Sequence, residues 1–184
     1  MVIVLETKKQ LRTAQLKRIH HFLRRDDANQ LLESLYQRLF VDPDFLNSQM
    51  IGITLSMADE LDTQPIINRA LQSEKQVVIP RTLPKRQMEF VLYNGHSKLE
   101  TTKFGTTEPV GGQVVSKNEI DVLIVPGLAF SKNHYRVGYG GGFYDRFLKG
   151  FNGTSIAVAM PPQLFEAPSW TPEDFDVLID KIIY

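Results

Sequence analysis

The sequence contains no cysteine. Disulfides, thiolate-bound zinc, iron–sulfur centres and thiol nucleophiles are excluded at once, because each needs a sulfur atom the chain does not have. It also lacks an excess of either charge, with 21 Lys plus Arg facing 21 Asp plus Glu. A globally basic surface of the kind that holds a phosphate backbone is therefore missing, and attraction to nucleic acid would have to come from a local patch. Long apolar runs are missing too. The opening stretch Met1-Val2-Ile3-Val4-Leu5-Glu6 is too short for the apolar core of a signal peptide, and no window reaches a membrane span. The expectation is a cytoplasmic monomer with no membrane and no nucleic-acid partner.

What is present is the composition of a soluble globular protein, 42% hydrophobic and 23% charged. The 184 residues suffice to bury a core without staples, and one domain over 1–184 is expected. Charge is balanced overall but not locally. Residues 1–25 hold seven bases (Lys8, Lys9, Arg12, Lys17, Arg18, Arg24, Arg25) and one acid, Glu6. Residues 160–184 hold Glu166, Glu173, Asp174, Asp176 and Asp180 against Lys181 alone. If they met at one site, the first could serve phosphate and the second a metal ion; otherwise they are two solvated surfaces.

Periodicity predicts a helix from Thr7 to Arg25 on Leu11, Ala14, Ile19, Phe22 and Leu23, and a second on Leu31, Leu32, Leu35, Tyr36, Leu39 and Phe40, stopping near Pro43. A buried strand over 50–55 leads into an acidic loop over 56–63, where Asp62 or Thr63 can cap a helix running through Gln72. Strands are expected at 77–79, closed by Pro80, and at 88–93, 122–125, 155–159 and 177–183, with loop at 101–112. The run 122–125 is apolar throughout, as for a central strand covered on both faces. Strands separated by helices point to a three-layer α/β fold with a mainly parallel sheet, whose ligands sit beyond the C-terminal strand ends.

The strongest local signal is Arg136-Val137-Gly138-Tyr139-Gly140-Gly141-Gly142-Phe143-Tyr144-Asp145-Arg146, with four glycines in five positions. Such a loop entering a helix frees backbone N–H groups for an anion. Arg136 adds a forked cation, and Asp145 could hold magnesium against a phosphate. Phe143-Tyr144 follows Gly142, so the loop is not a P-loop, and Phe143 stands where a dinucleotide fingerprint starting at Gly138 needs its third glycine. Without further support, a flexible turn beside a helix dipole explains the cluster equally well. Lys8 and Arg12 share a helix face and could clamp phosphates. Glu60 and Asp62 could meet a polar substrate group or a metal, and Asp176 or Asp180 could supply a second carboxylate. Tyr139 and Phe143 could stack on a flat ligand. No histidine shows metal-ligand spacing, and no Gly-x-Ser-x-Gly elbow occurs.

On these residues the chain resembles the 5-formyltetrahydrofolate cyclo-ligase family. The glycine segment with Val125-Pro126-Gly127-Leu128-Ala129-Phe130 carries the likeness, joined by Lys8-Lys9-Gln10-Leu11-Arg12, Leu55-Ser56-Met57 with Glu60 and Thr63, Glu108-Pro109, Gln163, and Asp176 with Asp180. Ser131, His134 and Phe175 depart from it, standing where many members have Asp, Gly and His. The resemblance implies a single α/β domain related in outline to sugar-phosphate isomerases and CoA transferases. It implies ATP-dependent, Mg²⁺-dependent closure of 5-formyltetrahydrofolate to 5,10-methenyltetrahydrofolate. ATP would be bound by Lys8, Lys9, Gln10, Leu11 and Arg12 and by Arg136, Val137, Gly138, Tyr139, Gly140, Gly141, Gly142, Phe143 and Tyr144. Folate would meet Leu55, Glu60 and the stretch from Tyr139 to Phe143; Arg136, Tyr144 and Asp145 would be catalytic; magnesium would lie on Asp145 and Asp176. Two other readings stand beside it: an isomerase or transferase relative needing no ATP, and an RNA-binding protein using the basic first helix. The lack of exposed aromatics among those bases argues against the latter.

Overall fold

The computed structural model describes residues 6–184, and the opening run Met1 to Leu5 lies outside them. The helices are α1 (Lys8–Phe22), α2 (Ala28–Phe40), α3 (Pro43–Asn47), α4 (Gln64–Gln72) and α5 (Phe143–Leu148). The strands are β1 (Met50–Gly52), β2 (Gln76–Leu83), β3 (Gln87–Tyr93), β4 (Leu99–Thr101), β5 (Thr107–Pro109), β6 (Val114–Val115), β7 (Val122–Ile124), β8 (Ala129–Ser131), β9 (Arg136–Val137), β10 (Thr154–Val158), β11 (Leu164–Phe165) and β12 (Lys181–Ile183). Among the described residues no helix is long and apolar enough to cross a membrane.

Seven strands form one sheet in the order β12-β10-β7-β1-β2-β3-β6. Its first five strands run parallel, and β3 and β6 add an antiparallel edge. The mainly parallel α/β sheet expected from the strand and helix alternation is thus what the structure shows. Successive strand residues feed opposite cores because side chains alternate across a strand. Ile51, Val77, Val122, Ile124, Ile156 and Val158 pack under α2 and α4, while Met50, Val78, Leu123, Val125 and Ala157 pack toward Phe147 and Leu148 of α5. Covered on both faces, β7 is apolar at every position, as a central parallel strand must be.

Several boundaries differ from the expectation, each for a physical reason. Pro80 does not close β2 but lies inside it, paired with Phe90. Strand β1 ends at Gly52, so this part of β2 has lost its parallel neighbour, and proline is tolerated on such an edge. Pro43 begins the short α3, capped by Asp42, whose Oδ1 accepts from the Asp44 amide at 3.0 Å. The stretch 101–112 is not simply loop, since β4 and β5 pair as a hairpin. Buried Glu108 ties that hairpin to β2, accepting from the Thr82 amide at 2.8 Å and the Thr106 hydroxyl at 3.1 Å. Of 177–183 only Lys181–Ile183 is strand, because Asp180 turns back to accept from the Ser155 amide and hydroxyl at 2.8 and 2.6 Å. In α1 the buried face runs Leu11, Gln15, Ile19, Phe22, with Gln15 in the place assigned to Ala14.

Candidate active site

The cleft opens where parallel strands deliver their C-terminal ends, lined by Thr54 after β1, Val125 to Gly127 after β7 and Val158 of β10. Gln163, Glu60 and Thr63 complete its polar wall. Thr63 closes the acidic loop on itself instead of capping α4: its hydroxyl donates to the Thr54 carbonyl at 2.7 Å and accepts from the Ser56 amide at 3.1 Å.

The floor is made rigid by two buried glutamines. Gln163 Nε2 donates to the Gly127 carbonyl at 2.6 Å, and its Oε1 accepts from the Met160 amide at 2.8 Å. Gln15 Nε2 donates to the Leu128 and Pro162 carbonyls at 2.9 and 2.8 Å. Gln15 went unread in the sequence, although its place four residues from both Leu11 and Ile19 marks it as an amide on an apolar helix face.

Arg136 rises from β9 beneath the glycine loop, its side chain only 4% exposed. Nη1 donates to the Pro126 carbonyl at 3.1 Å and Nη2 to Asp145 Oδ1 at 3.1 Å, while Nε is buried without a partner. The guanidinium also faces the Tyr144 ring at 5.7 Å. Glycine makes room for it: a Cβ at Gly138 would stand 2.5 Å from Nη1, and one at Gly127 would stand 3.1 Å from Cγ. At the loop's turn, Gly140 and Gly142 adopt φ of 103° and 68°, which side-chain-bearing residues rarely hold. Arg12 reaches over from α1, its Nε donating to the Gly138 carbonyl at 2.8 Å. The expected partners Arg12, Arg136, Tyr144 and Asp145 thus lie around one loop.

Other expected residues are placed differently. Leu11 and Val137 point into a small core with Ala129 and Trp170, leaving only their backbone for a ligand. Gln10 closes the capping box of α1, accepting from the Thr7 amide at 3.1 Å, and Lys9 is exposed beside it. Leu55 is half-buried, and its backbone bridges to Thr107 of β5, which sets the hairpin beside the cleft. Phe143 covers Gly141, where a Cβ would come within 2.7 Å of its ring.

The basic front and the acidic tail do meet, but as ion pairs. Lys8 Nζ lies 2.6 and 2.7 Å from the two carboxylate oxygens of Asp176 and 2.7 Å from Glu173 Oε2. Asp176 also accepts from the Glu173 amide at 2.9 Å. Asp145 and Asp176, expected to share a metal, therefore sit in separate pairs with Arg136 and Lys8. Among the described residues no three His, Asp or Glu side chains gather closely enough to hold a cation.

Glu60 lies between the two rims of the cleft, accepting from the Met57 amide at 2.7 Å, with the Tyr139 hydroxyl near it. Burial raises its pKa above the ordinary 4.5, and the Met57 amide and the nearby Tyr139 hydroxyl only partly oppose that. The folded state thus holds the Glu60 proton more tightly than the unfolded chain does. Its contribution to stability is whole below the ordinary value and is lost as pH rises through the folded one. Glu60→Gln, neutral at every pH and still able to accept from Met57, is expected to melt higher than wild type near neutrality, with the gap closing toward about pH 4. Calorimetric Tm values across that range check this, and a gap independent of pH contradicts it.

A model of the 5-formyltetrahydrofolate cyclo-ligase family matches residues 4–184. The chain is 28% identical over 183 residues to the 5-formyltetrahydrofolate cyclo-ligase of Haemophilus influenzae, covering 97% of each. It is 33% identical over 153 residues to that of Escherichia coli K12, covering 79% of this chain and 83% of the other. Among solved structures it is similar to the 5,10-methenyltetrahydrofolate synthetase of Aquifex aeolicus, with a TM-score of 0.79, 28% identity, and 96% of this chain and 88% of that one covered.

Proposed function

The chain belongs to the 5-formyltetrahydrofolate cyclo-ligase family, and from that premise we propose that it converts 5-formyltetrahydrofolate to 5,10-methenyltetrahydrofolate at the expense of ATP. The observation that carries the ATP part is the buried Arg136 guanidinium with its unpartnered Nε at the foot of the glycine loop. A buried cation with an unused donor fits an anion, and a forked guanidinium fits phosphate oxygens.

The chemical difficulty lies in the formamide. Its delocalised carbonyl is a weak electrophile and its oxygen a poor leaving group. Transfer of the γ-phosphoryl group to the formyl oxygen removes both obstacles: N10 attacks the activated carbon and gives up its proton, the C–O bond breaks, and the oxygen departs on inorganic phosphate, which takes up that proton. Such transfer depends on alignment and charge neutralisation more than on covalent help from the protein. Arg136 and the loop amides would hold the phosphate oxygens, and Arg12 would fix the loop through the Gly138 carbonyl. Lys8 would reach a phosphate by exchanging Asp176 and Glu173 for it. Folate would lie along Leu55, Glu60 and the loop from Tyr139 to Phe143.

Magnesium fits this donor set at Asp145. That carboxylate uses one oxygen on Arg136 and keeps 23% of its side chain exposed, and magnesium commonly takes one or two carboxylates, water and substrate phosphates. Asp176 fits less well, both its oxygens being engaged by Lys8 with 7% exposure. A magnesium ion held by Asp145 would neutralise charge on the phosphate oxygens.

The test is direct. Protein mixed with 5-formyltetrahydrofolate, ATP and Mg²⁺ is expected to develop the near-ultraviolet absorbance of the methenyl product, with no signal when any one component is omitted. Product formed without ATP would sink the proposal.

A further inference from the structure

Helix α5, only 6 residues long, leaves a groove between itself, β3 and β6. The groove encloses about 280 Å³ over the buried rings of Phe90 and Phe147, whose centres are 4.8 Å apart, with Met88 and Val115 beside them. A cavity of roughly 150 Å³ already admits benzene, so the space suits a flat apolar body. In a chain of zero net charge, the charge here is one-sided. Glu89, the one carboxylate in the lining, is occupied by Arg81, whose Nε and Nη2 donate to its Oε1 at 2.8 and 2.5 Å. The two lining cations pair with no carboxylate among the described residues: Lys117 Nζ donates to the Lys149 carbonyl at 3.0 Å and Arg146 Nη1 to the Gly142 carbonyl at 2.9 Å. One carbonyl each leaves most of their donors unused. Lys117 Nζ also stands 4.9 Å from the centre of the Phe147 ring, so a cation and an aromatic floor adjoin. Arg146 joins the groove to the cleft, because Gly142, whose carbonyl it holds, ends the glycine loop along which the folate would lie.

We infer that this groove receives the benzoylglutamate end of 5-formyltetrahydrofolate, with the aryl ring on the apolar floor and the carboxylates on Lys117 and Arg146. This rests on the cyclo-ligase reading and adds the residues that select the half of the substrate that does not react. The match is one of chemistry: beyond N10 the substrate continues as a flat aromatic amide ending in two carboxylates, and the groove pairs aromatic rings with two cations that lack anions. Contacts of this kind are made equally in the ground state and the transition state, so they raise affinity and leave the chemical step alone.

The test compares two substrates. 5-Formyl-6-(anilinomethyl)tetrahydropterin keeps the formyl group, N10 and the aryl ring but carries no carboxylate. Wild type is expected to show a KM at least about tenfold higher for it than for 5-formyltetrahydrofolate, the loss of one charge-assisted hydrogen bond or more. Equal KM values would overturn the inference without recourse to any variant. Lys117→Met removes the ammonium and keeps an apolar chain over Phe147. It is expected to raise KM for 5-formyltetrahydrofolate about tenfold, with kcat and the KM of the truncated substrate within about twofold of wild type. Arg146→Gln, as a second variant, is expected to show the same substrate-dependent rise. An unchanged KM for 5-formyltetrahydrofolate in both variants, or an equal rise for both substrates, would overturn the inference and leave the reaction assignment standing. Absence of turnover in the wild type would overturn both.

Discussion

Replacing Arg136 by alanine is expected to cost the protein its use of ATP while leaving its affinity for the folate largely intact. The side chain is 4% exposed, and its polar contacts go to the Pro126 carbonyl and Asp145. Each charge-assisted hydrogen bond lost to a phosphate should weaken binding by about 1.5–3 kcal/mol, or about 10–150-fold. Arg136→Lys separates charge from shape: it restores a cation but not the planar fork, so it should recover only part of the affinity. Calorimetry with Mg·ATP and separately with 5-formyltetrahydrofolate gives the comparison. Equal losses for both ligands would contradict the division of labour.

Asp145→Asn is expected to reduce turnover by at least about 100-fold, because it removes the one carboxylate that faces Arg136 and that would hold the metal. Two signatures separate these roles. If Asp145 holds magnesium, the Mg²⁺ concentration for half-maximal activity rises about tenfold or more. If it serves only to neutralise Arg136, that concentration is unchanged while Tm falls, since an unpaired buried charge can cost about 3–5 kcal/mol, and less here because the carboxylate is partly solvated. Titration of the residual activity with Mg²⁺, beside thermal unfolding, distinguishes them.

How much of this was legible in advance depended on whether a residue's partners lay nearby in sequence. The apolar run of β7, the helical spacing of α1 and the glycine loop entering α5 are local signals, and all could be read directly. Pro80 misled because its tolerance depends on where β1 stops, which is a fact about a strand nearly thirty residues away. The hairpin 99–109 was hidden because its anchor, Glu108, is buried only by virtue of Thr82. The candidate residues Arg136, Asp145, Lys8 and Arg12 came from the glycine segment and the basic first helix, and the resemblance gathered them into one expected site. What sequence could not give was their pairing: Lys8 suggested a phosphate ligand and Asp176 a metal ligand, and the structure joins them to each other. That exchange of roles follows from chain ends brought together by the fold.

The two walls of the cleft are fastened in unlike ways. On one side, side-chain amides pin the carbonyls of Gly127 and Leu128 from outside the loop. On the other, two arginines grip only the ends of the glycine loop, through the carbonyls of Gly138 and Gly142. The first wall behaves as an anvil and the second as a hinged jaw. Accommodation of an incoming ligand is expected at the jaw before the anvil, since fewer side-chain bonds from outside the loop would have to break there.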